Sequence, residues 1–211
     1  NHLDESFLKQ VEQVKLTQPE KYRHIILGGW LNKAEGVVFT NWRIGEFDNS
    51  IPNVFGQDYG FSIDPSVLVN VAIDKGKRII YVNECFCKPF MTTTDIEIEN
   101  KRYAGNKLII GDNSEGRLIE EIRRKGVNIK ETVKIAVSSG IALMQDYEIV
   151  VTENSLNIIK ELNNYSWSDK KSGTPIDAYN HTIDAIRYSV VYQLDNPNIK
   201  RMTPRGFGMK I

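Results

Sequence analysis

Three aspartates and one histidine are the residues of this chain best suited to do chemistry. Asp58 closes the apolar approach Val54-Phe55-Gly56-Gln57. Gly56 and Gly60 bracket it and let backbone or ligand come close on either side. Asp112 stands at the end of KLIIG (Lys107 to Gly111), a short run of buried-strand type. Asp184 follows His181 by three residues in NHTIDAIRYS, so the two project from one helical face. Ala185 and Ile186 turn that side of the helix toward a core. A carboxylate in such a place is costly unless it is paired or bound to a cation. Brought together, Asp58, Asp112 and Asp184 make the oxygen-rich site that Mg²⁺ or Mn²⁺ prefers. Two such ions roughly 4 Å apart would activate a water and stabilise the leaving oxygen of a phosphodiester. His181 reads either as a group that orients water or moves a proton, or as a capping and packing histidine. Taken singly, an Asp after a strand is most often a turn or cap residue, and an HxxD pair a solvated face. The reading therefore rests on their joint placement.

Two further acids compete for the site. Asp64 precedes Pro65, a turn position where a local backbone bond is the expectation, and Glu84 ends an apolar run where it could add a ligand. The basic residues Lys75, Lys77, Arg78, Lys134, Lys170 and Lys171 are candidate phosphate contacts, each also readable as a solvated surface charge. Trp167 would either stack on or shield nucleic acid, or pack against the fold.

Composition bounds the rest. In 211 residues, 41% are hydrophobic and 26% charged, the makeup of an ordinary globular domain with a sizeable core. The 27 basic and 27 acidic side chains cancel, so no global field draws the chain onto nucleic acid and any such site must be a local patch. Cys85 and Cys87, the two cysteines, lack the partners of a zinc site and read as reduced thiols. No apolar run approaches a membrane span, and no signal peptide opens the chain. The start at Asn1, without Met, reads as a fragment of something longer.

These side chains need positioning elements. Asp4 to Leu16 has an amphipathic helical stripe, a second short helix is expected from Pro19 to Leu27, and Val37 to Ile44 reads as a strand. From Val54 the pattern is an antiparallel meander, its last two strands joined by the Asp74-Lys75-Gly76-Lys77 turn. Thr92 to Tyr103 reads as a helix with a Thr cap. Lys107 to Gly111 is a strand, and Ser114 caps a helix that presents Leu118, Ile119 and Ile122 inward and closes at Gly126. The Val127-Asn128-Ile129 strand follows, then a helix near Ser139 to Tyr147, a strand at Glu148 to Thr152 and a helix from Asn154 to Leu162. Asn164 to Asp177 carries turn residues and aromatics and is expected as an exposed hairpin; the last helix runs from about Tyr179 to Gln193. Strand, helix, strand at short range implies a parallel, right-handed continuation of the sheet. The expected class is therefore α/β: an antiparallel three-strand meander continued by parallel strands, flanked by helices, with an extra hairpin. That order is similar to the RNase H-like arrangement, which sets the first and fourth strands side by side with Asp58 and Asp112 at their carboxyl edge.

Four blocks, QDYGFSIDPSVLV, IIGDNSEGRLIEEIRRKGVNI, ELNNYSW and NHTIDAIRYS, resemble the nuclease domain of the large terminase subunit of tailed bacteriophages and prophages, in that family's order. The opening LDESFLKQVEQVKLTQPEKYRHIILGGWLNKAEGVVF resembles the segment after the terminase ATPase domain. The resemblance implies an arm or connection over 1–45, an RNase H-like nuclease domain over 46–195 and a tail over 196–211. It implies metal-binding aspartates at Asp58, Asp112 and Asp184 with His181 beside the last, and a Mg²⁺- or Mn²⁺-dependent endonuclease that cuts concatemeric double-stranded DNA by two-metal hydrolysis. Implied partners are DNA, the terminase ATPase domain, the small subunit and the portal, in the cytoplasm of a bacterial host, with the isolated domain monomeric. No GxxxxGK[ST] occurs, so this chain has no ATPase motif, and its KIAVSSGI loop is less basic than the family's usual Lys/Gly-rich one. The alternatives are a junction-resolvase or transposase-like nuclease of the same fold, and a non-catalytic docking module for portal or motor.

Overall fold

In the computed structural model, residues 36–60, 62–169 and 171–195 are described. The helices expected at 4–16 and 19–27 and the tail at 196–211 lie outside the described residues. Seven strands form one mixed sheet: β1 (Trp42–Ile44), β2 (Asn53–Asp58), β3 (Ser66–Asp74), β4 (Ile79–Lys88), β5 (Ile109–Gly111), β6 (Ile129–Glu131) and β7 (Glu148–Val151), in the order β1-β7-β4-β3-β2-β5-β6. The meander β2-β3-β4 is antiparallel, and every other pairing is parallel.

β3, SVLVNVAID, is buried along most of both faces because both are covered. On one face lie α1 (Thr93–Ala104) and α2 (Gly116–Arg124), with Phe55, Leu68, Phe86, Ile96 and Ile119 in their shared core. On the other lie α3 (Val137–Gln145), α4 (Leu156–Asn164) and α5 (His181–Asp195), packed on Val67, Val69, Val71, Ile141, Ile158 and Ile186. The expected α/β class and meander are observed. Trp42–Ile44 joins the sheet beside β7, and Val38 and Phe39 enter its core. The boundary expected at residue 45 thus falls after the first strand of this unit rather than before it.

Local chemistry explains the ends of the elements. Thr92 and Asp95 form a reciprocal capping box at the start of α1, and Gly105, at φ 55°, ends it. Asp74 accepts from the backbone N–H groups of Gly76 and Lys77 at 3.0 and 2.9 Å, which shapes the β3–β4 turn. Cys85 is the extra residue of a bulge opposite Leu68 and Val69. The helix expected to be capped by Ser114 begins instead with a 3-10 turn, Asn113–Glu115, whose cap is Asp112. Its carboxylate accepts from the Ser114 N–H at 3.1 Å. The hairpin after α4 is less exposed than expected. Ser166 bridges to Val37, Trp167 to Pro175, and Trp167 and Ile176 pack against the core. Among the described residues no helix is long and apolar enough to cross a membrane.

Two contacts decide where the functional edge stands. A Cβ on Gly56 would lie 1.8 Å from the carbonyl oxygen of Ala185, so β2 accepts α5 there only because the residue is glycine. On the opposite face Gln57 and Asn100, both fully buried, exchange two amide hydrogen bonds of 3.0 and 2.8 Å that tie α1 to β2 beside Asp58. Gly56→Ala is expected to destabilise the domain by about 3 kcal/mol or more, because backbone rather than a flexible side chain must give way. Gln57→Leu and Asn100→Leu should each cost about 2 kcal/mol by orphaning the other amide, and the double variant less than their sum. Urea unfolding of the four variants checks this, and additive losses would show that the pair is not coupled.

Candidate functional site

The parallel pairing of β2 with β5 ends at Gln57 opposite Gly111, and the Asp112 N–H continues it to the Gln57 carbonyl at 3.2 Å. Asp58 and Asp112 are therefore the next rung, side by side at the carboxyl edge of the sheet. Gly56 and Asp58 share a face by the two-residue period of a strand. Since α5 touches that face at Gly56 through Ala185, its first turn, with His181 and Asp184, lies over Asp58. His181 Nδ1 meets Asp58 Oδ2 at 3.1 Å, while its Nε2 stands 3.5 Å from Asp64.

The three carboxylates share a field. Asp58 is only 8% exposed, and its carboxyl is pushed up to about 6, chiefly by burial. The His181 bond pulls it back, and the charges of Asp184 and Asp112 push it further up. Asp184 is raised too, first by burial, with Arg187 opposing and Asp112 adding to the rise. The Tyr188 hydroxyl is driven well above its usual range by burial and by the charges of all three aspartates. The bond to Asp58 raises His181 above an ordinary histidine. Among the described residues, however, no three His, Cys, Asp or Glu side chains are gathered closely enough to hold an ion. Asp184 Oδ1 is engaged by Arg187 Nε and Nη2 at 3.2 and 2.9 Å, and Asp112 by its own turn. The donor chemistry nevertheless suits a hard divalent cation: three neighbouring carboxylates, mutually repelling, two of them with pKa raised by burial.

The other acids have different work. Glu84, weighed as an extra ligand, instead caps α4. Its carboxylate accepts from the Asn157 and Ile158 N–H groups at 2.9 and 3.3 Å and from the Asn157 side chain at 2.6 Å. Ser155 provides no side-chain cap, so the strand supplies one. Asp64 faces His181 rather than its own backbone.

The candidate phosphate contacts divide by location. Lys75, Lys77 and Arg78 sit at the β3–β4 turn, at the opposite end of the sheet. Asp58 pairs with Val67, and from there β3 runs to Asp74, roughly 23 Å away at strand rise. Each also has a local partner: Lys75 the Gln193 carbonyl at the end of α5, Lys77 the Asp74 carboxylate, Arg78 the Asp146 backbone and side chain. Expected as candidate phosphate contacts, they lie away from the carboxylates rather than beside them. Lys134 is exposed just after β6, at the carboxyl edge, and Lys171 is exposed in the hairpin that leads to α5. Lys170 lies outside the described residues. Trp167 packs against the core. Cys85 and Cys87 are free, half-buried thiols pushed up to about 12 by burial and the Glu84 charge, hence unreactive.

Sequence reasoning missed Glu161 and Arg187. Buried Glu161 accepts from the Thr182 N–H, the Thr182 hydroxyl and the Ile183 N–H at 2.8, 2.6 and 3.1 Å, fixing the turn that carries His181 and Asp184. The available signal was a charge on the apolar stripe of α4, beside Ile158 and Leu162. Arg187 announces itself only as an arginine in a core-facing helix, three residues past Asp184.

These groups set a pH dependence. Asp58, at about 6, and Glu161, raised to about 7, bind protons more tightly folded than unfolded, so their stability penalty grows as pH rises from about 4 to those values. His181, raised, adds stability that is lost as pH climbs above its unfolded value near 6.5. In chelator the melting temperature should fall from pH 5 to 7. Asp58→Asn should melt higher than the parent at pH 7, by about 2 kcal/mol equivalent, with the gap closing toward pH 4. A gap independent of pH would show that Asp58 is not the strained charge.

Comparison with known proteins agrees with this architecture. Residues 58–191 match the family described as Terminase RNAseH like domain. The large terminase subunit of Bacillus phage SPP1 is 30% identical over 208 residues, covering 89% of this chain and 48% of that protein, so the chain spans about half its length. Among solved structures, the nuclease domain of the SPP1 large terminase with bound Mn superposes with a TM-score of 0.64 at 28% identity, covering 76% of this chain and 99% of that one. The P22 large terminase nuclease domain gives 0.63 at 16% identity, covering 76% and 93%, a likeness of fold. With its sheet order, its carboxylate edge and these matches in agreement, the chain belongs to the RNase H-like domain family of large terminase subunits.

Proposed function

We propose that this chain is a divalent-metal-dependent endonuclease domain that cuts concatemeric double-stranded DNA during viral DNA packaging. The observation that carries the reading is the meeting, at one sheet edge, of Asp58 and Asp112 on adjacent parallel strands with Asp184 and His181 on the helix docked over them. The SPP1 nuclease domain, with its bound Mn, supports divalent metal use. Asp58, Asp112 and Asp184 would hold Mg²⁺ or Mn²⁺, two ions in the full reading, which when bound supply an activated water and charge stabilisation at the phosphodiester.

The protein's own part is positioning. Gly56 and Glu161 set the height and phase of α5, and Asp58 holds the His181 ring through Nδ1. In the neutral ring this leaves Nε2, on the Asp64 side, as the atom able to take a proton. Lys134 and Lys171, with Arg117 in the first turn of α2, are exposed cations available to DNA phosphates at or near this edge. The proposed assembly places the domain with an ATPase domain, a small terminase subunit and a portal in a bacterial cytoplasm. A second reading, a docking module without metal affinity, is favoured by one fact: no three acids among the described residues are already gathered around a common point.

Supercoiled plasmid with Mn²⁺ tests the first reading directly. The parent should nick and linearise it, chelator should stop the reaction, and Asp58→Ala and Asp112→Asn should each slow it by about 100-fold or more. Variants that cut as fast as the parent would refute the assigned residues. Calorimetric titration with Mn²⁺ separates the second reading, since a docking module gives no binding heat. Glu84→Gln, which weakens only the α4 cap, should lower the melting temperature and leave Mn²⁺ binding intact.

A further inference from the structure

Arg187 is held more tightly than an ion pair on a helix requires. Its side chain is 7% exposed, and Nε and Nη2 both reach the same oxygen, Oδ1 of Asp184. Its guanidinium carbon lies 4.8 Å from the centre of the Tyr188 ring. Its aliphatic stem passes through the space a side chain at Gly140 would fill: a Cβ there would lie 2.6 Å from Arg187 Cδ and 2.7 Å from Cγ. Gly140 is in the interior of α3, buried, where glycine is a poor helix former, so local structure does not favour it. The groove it leaves is the path the arginine takes.

We infer that Gly140 and Arg187 form a brace that fixes the Asp184 carboxylate, with Oδ1 engaged from behind and Oδ2 left for the site. Arg187 is a positioning residue in this scheme. It touches Asp184 rather than substrate, and Gly140 acts through Arg187 from a different helix. The two-point grip needs the arginine fork, since a lysine in the same place supplies charge without fixed direction. The consequence for metal affinity rests on the proposed nuclease reading; the grip on Asp184 does not.

Two readouts keep these apart. Without metal, the side-chain carboxyl carbon of Asp184 is followed by NMR in the parent, Gly140→Ala and Arg187→Lys. With metal, Mn²⁺ affinity is measured by calorimetry on the same proteins, and thermal melting reports folding. Both variants should move the Asp184 resonance and weaken Mn²⁺ binding roughly tenfold or more while melting as folded domains. An unmoved resonance and parental affinity in Gly140→Ala would overturn the brace, as would parental affinity in Arg187→Lys. If the parent itself binds no Mn²⁺, affinity decides nothing about the brace: a moved Asp184 resonance in the variants then upholds it and the metal reading is refuted instead. If Gly140→Ala fails to fold, Arg187→Lys, which adds no atom to the α3–α5 contact, decides the question.

Discussion

Everything at the functional edge depends on one close approach, that of the α5 backbone to β2 at Gly56. A helix laid on a sheet normally stands off by the depth of two side-chain layers. Here the Ala185 carbonyl occupies the place of a missing Cβ, so the helix comes down onto the strand. Further along, Ser189 donates to the Val54 carbonyl and Gln193 to that of Val71, so the contact is pinned along the length of α5. The first turn then has one available position, over the ends of β2 and β5. Without that approach Asp184 and His181 would belong to a different layer from Asp58 and Asp112.

The same edge concentrates charge where the fold would do better without it. Asp58 and Asp184 are buried carboxylates whose neighbours are largely carboxylates, relieved in part by His181 and Arg187. Other acids, from exposed Asp95 to buried Glu161, are used differently, aimed at helix N-termini. Asp95 serves α1, Asp112 the 3-10 turn, Glu84 α4 and Glu161 α5. In those places the orphan N–H groups and the helix dipole stabilise the negative charge. Asp58 instead meets the ring of His181, not the backbone N–H groups of a helix start. That contrast, rather than acidity itself, separates a candidate ligand from a structural carboxylate. Asp112 does both, since its carboxylate also caps the 3-10 turn.

How far the chain could be read without coordinates follows from the range of each interaction. The apolar alternation of Ser66 to Asp74, the Thr92 cap, the Gly105 stop and the order of strands and helices are local patterns with local causes, and they placed the elements within a few residues. The pairing of β2 with β5 followed from connection rules, and with it the expectation that Asp58 and Asp112 would be neighbours. The functions of Glu84 and Glu161 could not be reached this way. Each carboxylate meets a helix start distant in sequence, Asn157 in one case and Thr182 in the other. The location of Lys75, Lys77 and Arg78 was out of reach for a related reason: a basic cluster is visible locally, but which end of the sheet it occupies depends on strand direction.

The amino-acid sequence by itself determined the α/β class and the meander, because periodicity, caps and short connections are encoded over a few residues, and four blocks that resemble one family pointed to that family and to the acids and histidine at the edge. Only the tertiary structure decided how those side chains are used: that Glu84 is a cap, that Asp64 faces His181, that Arg187 grips Asp184 through the gap at Gly140. Those outcomes are set by contacts between elements far apart in the chain, where an ångström of backbone approach determines which oxygen meets which donor.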